Sequence, residues 1–119
     1  MQPQRWLYHL LPRGAWSSGD HAPESLEKEG FVHTSYRPAV AESARLYFAA
    51  AQPLDVLQID PRLLDVPLRL TDTPRETMPH IHGRVPAAAI RVCWPLECLD
   101  PAPDLILTLE EPSTPHEPA

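Results

Sequence analysis

The sequence predicts an α+β fold, a single domain with one main helix, and three observations predict it. The chain has 119 residues, which suits one domain and is long enough to bury a hydrophobic core. It carries 16 prolines against 4 glycines, a balance that forbids long helices and favours short strands and fixed loops. Its hydrophobic patterns run strand, short helices, strand, longer helix, then mostly strand, which is not the alternation of βαβ units.

RWLYHLL, residues 5–11, reads as a first strand, with Trp6, Tyr8 and Leu10 on one face and Leu7, His9 and Leu11 on the other. Pro12 to Gly14 closes it, and Ala15 to Ser18 is expected to form a helical turn around Trp16. ESLEKE, residues 24–29, is a short helix stopped by Gly30. FVHTS, residues 31–35, is the second strand. The main helix is expected over residues 37–51, with Pro38 in its first turn and an apolar stripe of Val40, Ala44, Tyr47 and Ala51 beside Ser43 and Phe48. Pro53 ends it.

LDVLQID, residues 54–60, places apolar residues on both faces, which predicts a central strand. VPLRLTD, residues 66–72, fits an edge strand, where proline is tolerated. Residues 73–79 read as a polar loop, HIHG as a short strand, VPAAAI as a turn and RVCWPL as the last good strand. The domain is drawn over residues 1–99. Residues 100–119 form a proline-rich extension in which DLILTL could add an edge strand, and from about residue 110 they read as disordered.

The formal net charge is −6, nine of the ten basic residues are arginine, and no basic run occurs. Binding of duplex nucleic acid by a basic surface is therefore not expected, although an arginine could serve one phosphate. No stretch approaches the ~20 apolar residues of a membrane span. MQPQRWLYHLL lacks the apolar segment of a signal peptide, so the cytoplasm is the expected compartment. Cys93 and Cys98, five apart, match neither a metal nor a redox motif and are expected as unlinked thiols.

Histidine is the anomaly. Of the six, His21 in a polar loop and His116 in the tail are expected to have no role. His9, His33, His80 and His82 all fall within short apolar strands, where each would need its own polar partner if buried. Gathering them around one ligand meets that need for all of them. His80 and His82 would share a face by the period-two rule. Three chemistries fit: a divalent metal held by His33, His80 and His82 as neutral imidazoles, a nucleotide or phosphate-ester pocket, or a hydrolase built on Ser35 and His33. The pocket would use imidazole N–H donors, the Thr34 and Ser35 hydroxyls and an arginine such as Arg69 or Arg84. Trp16 could stack on a ligand ring. No nucleophile elbow surrounds Ser35, and no third metal ligand stands at motif spacing near the H-x-H pair.

The order YHLLP, EGFVHTS, a helix carrying VAESAR, LQID, LRL, PHIHG and VPAAAI resembles an uncharacterised bacterial family, domain of unknown function 952, over roughly residues 7–97. The fold that this resemblance implies is ADP-ribosyltransferase-like, with a split, twisted β-core and a cleft between two sheets. The motif order is also similar to that of tRNA 2′-phosphotransferases, which use NAD. NAD is therefore the cofactor to expect if there is one, and a nucleotide-like small molecule the partner; the alternative is a non-catalytic interaction module in which the cleft is vestigial. The resemblance implies a cleft lined by His9, His33, Thr34 and Ser35 and entered by the PHIHG strand, with His33 and His80 as the candidate catalytic side chains. Trp16, Arg69, His82 and Gly83 complete the expected binding set. Two positions depart from the family pattern: Thr71 stands where relatives carry a glutamate, and His82 where they carry a tyrosine.

Overall fold

The computed structural model describes residues 4–74 and 76–106. The expected disordered tail from about residue 110, with His116, lies outside the described residues. Among the described residues six strands form two antiparallel sheets of three. The first sheet holds β1 (Leu7–Pro12), β3 (Leu54–Ile59) and β6 (Ile90–Pro95) in the order β1-β3-β6. The second holds β2 (Val32–His33), β4 (Leu68–Asp72) and β5 (Thr77–Ile81) in the order β2-β5-β4. The helices are α1 (Glu24–Glu29) and α2 (Val40–Tyr47).

The first sheet is buried on both faces, as the two-sided apolar patterns of β1 and β3 require. Leu7, Leu11, Leu57 and Ile59 pack on one side with Val32 and Ile81 of the second sheet. Trp6, Tyr8 and Val56 pack on the other with Val40 of α2, Leu99 and Ile106. All six residues of β3 are buried, and its position between β1 and β6 is the central one. Its polar members are satisfied: Asp55 accepts from Arg13 Nε and the Gly14 amide, and the Gln58 amide donates to the Tyr8 hydroxyl. That hydroxyl in turn donates to the Pro103 carbonyl. The packed chain therefore runs past residue 99. The Trp6 amide donates to the Asp104 carbonyl, Arg5 bridges Leu105, and Ile106 is 2% exposed.

Proline 79 explains why the core is split. FVHTS pairs with β5 only through Val32–Ile81 and His33–His80. The next partner is Pro79, whose carbonyl faces Thr34 and whose missing N–H would point the same way. Thr34 compensates by donating both its amide and its hydroxyl to that carbonyl, at 3.3 and 2.7 Å. The ladder stops there. Ser35 crosses to the first sheet and exchanges two 2.8 Å hydrogen bonds with Tyr8. The two sheets meet at this seam.

Other elements differ from the sequence reading in instructive ways. The main helix is shorter: a 3-10 turn at Arg37–Ala39 leads into α2, and Phe48 is already extended. Beyond Phe48 the chain offers only three alanines, which bury little, and helices in proteins are held by packing more than by propensity. No helical turn forms at Ala15 to Ser18. β5 starts at Thr77 and ends at Ile81, so it takes the end of the expected polar loop and leaves His82 and Gly83 in the bend that follows. β4 is the edge strand, exposed throughout. Cys93 and Cys98 are free, and burial pushes the Cys93 thiol up to about 11. Among the described residues no helix is long and apolar enough to cross a membrane.

Candidate functional site

A cavity of about 840 Å³ opens along the seam between the sheets. His9, Trp16, His33, Thr34, Ser35 and His80 all line it. β1 supplies His9, β2 supplies His33 and β5 supplies His80, so three strands of two sheets bring three imidazoles to one space. The remaining expected positions lie outside the lining. Arg69 stands opposite His80 in the β4–β5 register but on the exposed edge strand. His82 leans on Phe31, with ring centroids 5.5 Å apart. Gly83 answers to packing: a Cβ there would meet the Val66 side chain at 2.5 Å. Thr71 is not in the lining either.

The inner end is an imidazole pair. His9 is 6% exposed. Its Nδ1 lies 2.7 Å from the His33 carbonyl, so Nδ1–H donates and Nε2 is left as an acceptor. His21 Nε2 approaches that atom at 3.1 Å and must be the donor. Burial pushes the pKa of His9 down to about 4, and burial lowers that of His21 as well. Both rings are therefore neutral at pH 7. His21 is held by its backbone, which exchanges two 2.8 Å hydrogen bonds with Val85.

The outer end is an aromatic cluster. Phe31 stacks on His80 with centroids 4.2 Å apart and planes 16° apart, and meets His33 edge-on at 4.8 Å. Burial is the first cause that lowers the His80 pKa, with His33 and His82 adding to it. His80 Nδ1 is buried with no hydrogen-bond partner. His33 Nε2 donates to Glu29 Oε2 at 2.6 Å, across the turn that Gly30 makes with a φ of 85°. This leaves His33 Nδ1 as the acceptor nitrogen of the neutral ring. The Ser35 and Ser43 hydroxyls are 2.9 Å apart, and Trp16 Nε1 donates to the Gly19 carbonyl at 2.9 Å.

Sequence reading missed much of one wall. Ser17, Ser18, Asp20, His21, Glu24 and Ser25 all line the cavity. This segment has no hydrophobic period to reveal which way a side chain faces. Its only signal is a polar, glycine-containing loop, the usual place for ligand contacts. Glu29 was legible in principle, since it stands four residues before His33 across a helix-ending glycine. Among the described residues no group of three or more histidine, cysteine or acidic side chains is placed to hold a metal ion.

Fold and cavity together define a small α+β domain with a histidine-lined cleft between two antiparallel sheets. A family described as protein of unknown function (DUF952) matches residues 10–93, and the chain belongs to it. The crystal structure of protein CC0527 from Caulobacter crescentus is similar in fold, with 18% identity and a TM-score of 0.65 over 76% of this chain and 84% of that one. A double mutant of CC0527 gives 18% identity and a TM-score of 0.63 with the same coverage. No curated protein matches the chain.

Proposed function

We propose that the cavity binds a nucleotide-like small molecule of the ADP-ribose class and that the protein is at most a poor ADP-ribosyl transferase. One observation carries this reading: a cavity of about 840 Å³ whose wall combines four imidazoles with serine and threonine hydroxyls and the rings of Trp16, Tyr47 and Phe48. That volume suits a drug-sized ligand. Imidazoles and hydroxyls supply donors and acceptors for ribose hydroxyls and base edges, and the rings supply stacking faces. The expected ADP-ribosyltransferase-like fold and the motif order similar to that of tRNA 2′-phosphotransferases support the same ligand class, with NAD as the donor if transfer occurs. A cytoplasmic location is part of the proposal, supported by the two free thiols.

Weak transfer follows from the carboxylates. ADP-ribosyl transfer develops positive charge on the ribose, which a nearby carboxylate must stabilise. Thr71 stands on the exposed edge strand and cannot. Asp20 is in the wall but already accepts from the Ala87 amide at 2.8 Å and pairs with Arg84 at 3.1 Å, and Glu24, the other carboxylate of the wall, is paired with Lys28 at 2.7 Å.

A thermal-shift and calorimetry series with ADP-ribose, NAD, nucleotides and nucleosides tests the proposal. A ligand at about 100 times its Kd adds about 2.7 kcal/mol to stability. His33→Ala should weaken binding. No binding by any member of the series would defeat the proposal, and rapid NAD turnover abolished by His33→Ala would overturn its second half.

A further inference from the structure

We infer that the cavity recognises the uncharged nucleoside portion of its ligand, so that unphosphorylated nucleosides are its preferred class and a phosphate group adds no affinity. This rests on the proposed nucleotide-like ligand and concerns which part of it the wall selects.

The inference comes from the charges around the cavity. Among the described residues the charged side chains in the lining are Asp20 and Glu24, and no lysine or arginine joins them. The cations nearest these acids are engaged. Arg84 is shared between Asp20 at 3.1 Å and Asp65 at 3.0 Å, and Lys28 sits on Glu24 at 2.7 Å. Arg13 lies at the end of β1 but is turned to Asp55 and Glu97.

The imidazoles do not replace them. Both His9 nitrogens are occupied, by the His33 carbonyl and by His21. Burial lowers the pKa of His9, His21 and His80, which keeps these rings uncharged at neutral pH. His33 spends its Nε2–H on Glu29, and that carboxylate would offset any charge the ring acquired.

A phosphate entering this space would carry between one and two negative charges past Asp20 and Glu24, and among the described residues no lysine or arginine of the wall meets it. Like charges in a partly desolvated site repel far more than in water. Buried or not, the phosphate gains nothing. What the wall does offer is uncharged: the Ser17, Ser18 and Ser25 hydroxyls, the Ser35–Ser43 pair, and the faces of Trp16 and Tyr47. These suit a heterocyclic base and a ribose.

Calorimetry with adenosine, guanosine, cytidine and uridine beside their 5′-monophosphates and ADP-ribose, at low and high salt, tests this. Each nucleoside that binds should do so at least as tightly as its monophosphate, and salt should change its affinity by less than about twofold. A monophosphate that binds about tenfold or more tightly than its nucleoside overturns the inference and leaves the proposed ligand class standing. Binding of ADP-ribose with no binding of any nucleoside has the same consequence. Silence from the whole series defeats both.

Discussion

The two sheets have the same strand count and opposite duties. β1-β3-β6 is buried on both faces and pairs over long registers, six residues between β1 and β3. β2-β5-β4 begins with a two-residue strand, runs through Pro79 and ends in an exposed edge. The first sheet holds the fold, and the second gives up hydrogen bonds and apolar contacts so that His33 and His80 can face a cavity. The lesson is that a weak ladder beside a strong one can mark the working side of a small domain.

That division can be broken most sharply in β3. Leu57 is fully buried, and Leu57→Ala should cost about 2–5 kcal/mol, enough to unfold a marginal domain. Urea denaturation measures it.

Next comes pH, which tests whether the first sheet truly buries its histidine. His9 titrates at about 4 in the folded chain against 6.5 when exposed, because burial disfavours its charged form. The unfolded chain therefore takes up the proton first. Stability from this group is complete above pH 6.5, falls as the pH drops, and is lost by about pH 4, a change of about 3 kcal/mol. His9→Leu should lower stability at pH 7, because His21 loses its acceptor, and should flatten the acid slope. His21, also depressed, should leave a residual slope.

A smaller effect is expected at the seam. Thr34→Val removes the hydroxyl that supports the Pro79 carbonyl and should cost about 1 kcal/mol, read from the same denaturation curves. The smallest lies in β4. Leu70 is 61% exposed, and Leu70→Ala should change stability by less than about 0.5 kcal/mol. A large loss there would mean that the second sheet also carries the fold.

The same contrast explains what the sequence made legible. β1 and β3 were readable as strands because apolar residues fall on both faces, and β3, flanked by β1 and β6, takes the central position its pattern predicts. The edge placement of β4 followed from Pro67. β5 was not readable at its start, since TMP looks like a loop and becomes a strand only through its pairing with β4. That shift decides the site: His80 lies inside the strand and lines the cavity, whereas His82 lies beyond Ile81, where alternation no longer governs its direction. His9, His33, Thr34 and Ser35 were found because polar residues in apolar strands demand partners. His21 was not, because nothing local distinguishes a loop histidine in water from one bonded to a buried ring 12 residues away.

The central claim is that four imidazoles from β1, β2, β5 and the loop before α1 share one ligand cavity. Imidazole NMR during a titration with adenosine and then ADP-ribose tests it most directly. The ring signals of His9, His21, His33 and His80 should shift together and saturate at one Kd, while those of His82, outside the lining, stay in place. Saturable shifts confined to His82 and β4, with the other four unmoved, would contradict it.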